Sequence, residues 1–162
     1  MSAIDHLLHA NKAYATTFPG PRPLRPKLRL AVVACMDSRL DLFGALGLDI
    51  GEAHLIRNAG GLPTDDVLRS LAISQRNLGT REVVLIHHTE CGMQHFDDAA
   101  FRAELTAESG EAPPWDVPGF TDLHATMRKS MKTVRECSWL PHRDDVRGFI
   151  FDIATARIEE VA

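Results

Sequence analysis

Residues 28–39 read Leu28-Arg29-Leu30-Ala31-Val32-Val33-Ala34-Cys35-Met36-Asp37-Ser38-Arg39 (LRLAVVACMDSR), and this stretch decides the fold. From Leu28 to Ala34 it is apolar and β-branched with almost no polar break, the pattern of a strand buried on both faces. Side chains able to do chemistry begin where the apolar run stops, at Cys35. A second stretch repeats the arrangement: Glu82–Ile86 (EVVLI) runs into His87-His88-Thr89-Glu90-Cys91-Gly92. In parallel sheets the working residues lie beyond the carboxyl ends of the strands. Both stretches fit that rule.

Working outward, helices and strands alternate. A short N-terminal helix precedes Phe18–Lys27 (FPGPRPLRPK), whose four prolines and one glycine predict an extended connector. Asp41–Leu48 reads as a short helix and Ala53–Ile56 as a second strand. Thr64 followed by Asp65 and Asp66 is a helix start, a capping hydroxyl with acids in the positive first turn, and Gly79 is the expected C-cap. Another helix is predicted around Phe96–Thr106, followed by a turn-rich loop over Ser109–Gly119. Leu123, Met127, Met131 and Val134, at spacings of four, four and three, mark an amphipathic helix. Gly148–Ile153 is the fourth strand. Ile158–Val161 returns as an antiparallel edge, because Ala154-Thr155-Ala156 is too short for a parallel crossover. The predicted class is α/β, a mainly parallel β-sheet flanked by helices with an antiparallel edge strand.

The 162 residues suit one domain, 1–162, and a chain of about 150 residues buries roughly 70% of its unfolded surface. A formal charge of −4 and a pI near 6.0 speak against a nucleic-acid partner. No apolar run approaches the roughly 18 residues of a membrane span. Asp5, His6 and His9 stand where a signal peptide needs a basic start and an apolar block, so a cytoplasmic protein is expected. Three cysteines cannot close a disulfide framework.

Cys35, Cys91 and an adjacent histidine would suit zinc, three protein ligands leaving a fourth tetrahedral position for water; the plain alternative is a core thiol beside a strand-end histidine satisfied by backbone. On the residues alone either His87 or His88 could approach Cys91. His87 continues the apolar strand, and its plain reading is a hydrogen-bonded core histidine. The same reading is preferred for His6, His9, His54, His95, His124 and His142. Asp37 has three open roles: a metal ligand, an acceptor for a metal-bound water, or the partner of Arg39, whose planar fork suits bidentate carboxylate binding. A simple N-cap with an ion pair is the bland alternative. Cys137 is expected in the core. Gly60-Gly61 lacks the residues of a phosphate loop.

Taken together, Cys35-Met36-Asp37-Ser38-Arg39, Arg57-Asn58-Ala59-Gly60 and His88-Thr89-Glu90-Cys91-Gly92-Met93 resemble the β-class carbonic anhydrases, in particular their short prokaryotic branch. The order, the spacing and the element pattern extend the likeness over nearly the whole chain. The resemblance implies that Cys35, His88 and Cys91 bind one Zn²⁺ per chain and that Asp37 and Arg39 form the catalytic dyad. It implies reversible hydration of CO₂ to bicarbonate and a proton through zinc-bound hydroxide. It further implies a homodimer or dimer of dimers, with residues 1–27 forming an N-terminal helix and Pro-rich arm that packs on a partner subunit. The resemblance also allows a second state, an inactive closed site with Asp37 in the open zinc position, as in some β-class enzymes. COS or CS₂ hydrolysis on the same scaffold is the rival activity, and a non-catalytic zinc- or bicarbonate-binding relative is the rival from another class. Val32 stands where longer members with a regulatory bicarbonate site carry Trp, so Arg57 is expected to serve as a structural ion pair.

Overall fold

A computed structural model describes residues 2–162; Met1, the first residue of the expected domain and arm, lies outside the described residues. The chain runs α1 (Ala3–Thr16), β1 (Leu30–Cys35), α2 (Leu42–Leu46), β2 (Ala53–Asn58), a 3₁₀ turn (Ala59–Gly61), α3 (Asp65–Arg76), β3 (Glu82–His88), α4 (Asp98–Ser109), α5 (Leu123–Glu136), β4 (Val146–Phe151) and β5 (Ile158–Val161). The five strands form one sheet in the order β2-β1-β3-β4-β5. The first four are parallel, and β5 pairs antiparallel with β4. The expected α/β class and antiparallel edge are both present.

This order carries a functional consequence. The chain leaves β1 for β2 on one side and returns to place β3 on the other, so the gap beyond the β1 and β3 ends is a topological switch point, where open α/β sheets bind their ligands. Ala34 lies opposite Ile86 in the β1–β3 register. Cys35 ends β1 and His88 ends β3, which sets them beside each other at that gap.

Period-two alternation divides the strands between two cores. Ala31, Val33, Val83 and Leu85 face α3 and α5, where Leu71, Met127, Met131 and Val134 are buried with them. Val32, Ala34 and Ile86 face the other way, against Leu40, Leu42 and Phe151. Strands buried on both faces read as unbroken apolar runs, as β1 does.

Several boundaries differ from expectation for local reasons. α3 stops at Arg76 with Asn77 as its cap, and Gly79 takes its left-handed turn (φ +78°) two residues later. Thr64 makes no side-chain cap bond to the helix; its hydroxyl instead accepts from Asn58 Nδ2 at 3.4 Å. Cys137 is the residue that caps α5 and packs half-buried against the α3–α5 core. α1 is held at its start by a Ser2–Asp5 capping box, yet none of its residues is buried, and Ile4, Leu7 and Leu8 are 69%, 65% and 59% exposed. No helix among the described residues is long and apolar enough to cross a membrane.

Candidate metal centre and its surroundings

Cys35 Sγ and Cys91 Sγ lie 3.9 Å apart, both thiols buried. Two sulfurs at about 2.3 Å from one tetrahedral ion would stand roughly 3.8 Å apart. His88 completes the group, with one donor atom from each of the three residues within 4.8 Å of the others. The His88 ring is fully buried, and Nδ1 sits 2.8 Å from the Thr89 carbonyl. A carbonyl only accepts, so Nδ1 carries a proton, and in the neutral ring Nε2 is then the nitrogen with the lone pair. Nε2 is buried with no hydrogen-bond partner. An orphaned imidazole nitrogen facing two close thiols fits a zinc ion, and the Nδ1–carbonyl bond fixes the tautomer such a ligand needs.

Their proximity drives the two thiols in opposite directions. Hydrogen bonding to Cys91 pulls the Cys35 thiol down to about 4, and the same bond together with burial pushes Cys91 well above its ordinary range. A cation that takes both sulfurs binds them as thiolates, so binding releases any proton they hold.

The local chain explains how Cys91 returns to the site. Thr89 N–H donates to the Phe151 carbonyl (3.0 Å) and Thr89 Oγ1 accepts from Ile153 N–H (2.9 Å), tying the turn to the end of β4. Glu90 is then left-handed (φ +54°), uncommon for a residue with a side chain, and this reverses the chain toward the sheet end. Gly61 forms the floor between β1 and β3. A Cβ there would lie 2.8 Å from Ala34 C and Cys35 N, at φ +66°.

Asp37 and Arg39 are joined as a fork. Oδ1 accepts from Arg39 Nε (3.0 Å) and Arg39 N–H (2.9 Å), and Oδ2 accepts from Nη2 (2.8 Å). These bonds hold the Asp37 carboxyl well below the usual carboxylate range, the guanidinium contributing most. Oδ2 stands 3.8 Å from His88 Nε2, so the carboxylate faces the candidate ligands.

A profile of the carbonic anhydrase family matches residues 30–134, the span holding Cys35, Asp37, Arg39, His88 and Cys91. β-Carbonic anhydrase 1 of Mycobacterium tuberculosis is 46% identical over 161 residues, covering 99% of each chain. The chain belongs to the β-carbonic anhydrase family. A crystal structure of the carbonic anhydrase from Streptococcus mutans superposes with a TM-score of 0.91 at 42% identity, over 100% of this chain and 99% of that one. A carbon disulfide hydrolase of Acidithiobacillus thiooxidans is 35% identical over 151 residues, 80% of this chain and 75% of its own.

Within this β-carbonic anhydrase fold, four features escaped the sequence reading. Phe120, on the loop after α4, is 8% exposed and packs with Cys35, Cys91 and Met93. Its backbone is stitched to the Cys91 turn by His95 N–H to the Phe120 carbonyl (2.7 Å) and Phe120 N–H to the Met93 carbonyl (3.2 Å). His87 is not the hydrogen-bonded core histidine expected. Neither ring nitrogen has a partner, the ring stacks on Phe120 at 6.1 Å, and burial lowers its pKa to about 4, so it is a neutral filler. Arg57 makes no ion pair among the described residues; it donates to backbone carbonyls of the Cys35–Leu40 segment. Arg39 also reaches the Glu90 carbonyl, in the turn that carries Cys91. Of the remaining histidines, His54 bonds Ser74 Oγ (2.8 Å) and His142 meets Gln75 through its backbone, and neither joins the metal cluster.

Proposed function

We propose that this enzyme hydrates CO₂ reversibly to bicarbonate and a proton, with one Zn²⁺ per chain held by Cys35, His88 and Cys91 and with Asp37 and Arg39 as its catalytic dyad. The buried, unpartnered Nε2 of His88 facing two thiols 3.9 Å apart carries the reading. Zinc, when bound there, supplies the Lewis acidity that makes water nucleophilic near neutral pH.

The chain's own residues do the rest. Two thiolates offset the charge of a divalent cation, so less acidifying power is left for water than in a three-histidine site. A fixed acceptor therefore matters more. Asp37, ionised and pinned by Arg39, only accepts hydrogen bonds, so it orients the O–H of the attacking group and points its lone pair away. A carboxylate held so acidic is a poor proton store. Its role is orientation, and the proton passes to buffer. Phe120 and Met93 line the thiol side of the site with apolar surface, suited to an uncharged linear substrate and adverse to competing water.

The family's hydrolases act on similarly linear molecules, but the full-length 46% likeness is to a carbonic anhydrase, which favours CO₂. Stopped-flow CO₂ hydration across neutral and alkaline pH, run beside a sulfide-release assay on COS and CS₂, tests this. Hydration above buffer with no sulfide release is the expected result. The reverse pattern would make the protein a hydrolase, and neither activity would leave a binding role.

The working unit in this reading is a cytoplasmic homodimer or dimer of dimers. The exposed apolar side chains of Ile4, Leu7 and Leu8 support a role for residues 1–27 as an arm packing on a partner subunit. Deleting residues 2–17 should lower the number of chains per particle seen by analytical ultracentrifugation.

A further inference from the structure

Arg57 sits on edge strand β2, opposite Ala34. Its guanidinium spans the whole loop from the end of β1 to the start of α2. Nε donates to the Cys35 carbonyl (2.9 Å), Nη2 to the Asp37 carbonyl (2.6 Å) and Nη1 to the Leu40 carbonyl (3.2 Å). Otherwise the backbone of residues 36–40 makes few bonds: Met36 N–H to the Asn58 carbonyl, Leu40 N–H to the Asp37 carbonyl and Arg39 N–H to Asp37 Oδ1. Two of the three acceptors of Arg57 are the backbone carbonyls of Cys35, a candidate zinc ligand, and of Asp37, whose carboxylate stands 3.8 Å from His88 Nε2. We propose that Arg57 is a positioning residue, a three-point clamp that fixes the Cys35–Leu40 loop and thereby the direction in which Asp37 presents its carboxylate.

Three considerations favour a clamp over the alternatives. No carboxylate pairs with Arg57 among the described residues, so it is not there to cancel a charge. Three of its five N–H donors, one on each nitrogen, are committed to protein carbonyls, so most of its directed bonding serves the loop. Only a planar guanidinium reaches three carbonyls in fixed directions; an ammonium is a single point. The expected sensitivity is steep, because small misplacements of a positioning group cost about 100-fold in rate.

The proposal rests on the anhydrase reading, and its test separates the two. Wild type, Arg57→Lys and Arg57→Gln would be compared as zinc-loaded protein by amide hydrogen exchange and by CO₂ hydration kinetics. Arg57→Lys keeps the charge and loses the fork. Residues 36–40 should exchange about tenfold faster or more in both variants, with β3 unchanged as the check that the sheet is intact. Zinc should stay near one per chain, and kcat should fall roughly 10–100-fold with KM little changed. Should Arg57→Gln fail to fold, Arg57→Lys carries the comparison alone. Unchanged exchange of residues 36–40, or Arg57→Lys with wild-type exchange and turnover, would overturn the clamp. A wild type inactive toward CO₂ would refute the anhydrase reading, with the exchange comparison still deciding the clamp.

Discussion

Arg39 and Glu90 join the two halves of the site. Arg39 Nη2 donates both to Asp37 Oδ2 (2.8 Å) and to the Glu90 carbonyl (3.1 Å), so one guanidinium spans from the loop after Cys35 to the turn before Cys91. The Glu90 carboxylate, 73% exposed and 3.5 Å from Nη1, adds little in water. The carbonyl bond is the linking one. Arg39→Lys loses the planar fork that holds both partners in fixed directions. It should keep zinc and lose about tenfold to 100-fold in kcat/KM, measured by stopped-flow hydration. Glu90→Gln, which leaves the carbonyl in place, should cost far less.

Asp37→Ala removes the acceptor without touching a candidate ligand. Turnover should fall about 100-fold or more while zinc, measured by elemental analysis, stays near one per chain. Loss of zinc would instead make Asp37 structural. Because Arg39 holds its carboxyl below the usual carboxylate range, the wild-type pH–rate profile should show no inflection from Asp37 above about pH 4.

Cys91→Ser should bring zinc well below one per chain, yet the protein should remain folded by circular dichroism. The core between the sheet and α3 and α5 is built from residues such as Leu71, Leu85 and Met127, away from the thiols. Chelation of the wild type should likewise lower Tm without abolishing the transition, since a ligand that binds only the native state stabilises by mass action. A protein that unfolds outright on chelation would contradict this.

Much of the site is legible in the sequence, because its parts are local. Apolar runs locate β1 and β3, and the first polar residues after them are Cys35 and the His87–Cys91 turn. Short-range arithmetic also settles β5, whose link to β4 is too short to cross over. What escapes the sequence depends on the backbone or on distance. A charged Arg57 suggests an acidic partner, and nothing in side-chain spelling marks three carbonyls as its acceptors. Phe120 lies in a stretch that reads as turns and prolines, and it reaches the thiols only because the chain pairs there with Met93 and His95. A signal was available in Gly119, where a Cβ would stand 2.3 Å from the Phe96 carbonyl oxygen. With Phe120 unplaced, the stacking that leaves His87 without polar partners was invisible too.

Gly61→Ala should be among the most damaging single-methyl changes in the chain. The added Cβ meets backbone atoms of Ala34 and Cys35 at 2.8 Å and the Ile86 carbonyl oxygen at 3.0 Å, in a left-handed conformation. Backbone cannot swing aside as a side chain can. Strain of roughly 1–3 kcal/mol is expected from the conformation alone, and the clash adds to it at the position that orients Cys35. Gly92→Ala, which meets nothing within 4 Å, is the control. Chemical denaturation should show a large loss for the first and a small one for the second.

Asp152 offers a pH test remote from the site. Oδ1 accepts from Ala154 N–H (2.9 Å), Thr155 N–H (2.7 Å) and Thr155 Oγ1 (2.9 Å), closing the turn that lays β5 against β4. The bonds from Thr155 hold its pKa below the ordinary 3.8. A carboxyl depressed by folding contributes stability above its unfolded pKa and loses it as pH falls through the folded value. Asp152→Ala should therefore lower Tm at pH 7, and the gap to wild type should shrink below about pH 4 as the wild-type carboxylate protonates. Thermal melts between pH 7 and pH 3 measure that gap. If it stays constant, the ionised carboxylate is not what holds the turn, and the chain's own Asp152 N–H to Arg157 carbonyl bond (2.9 Å) must suffice.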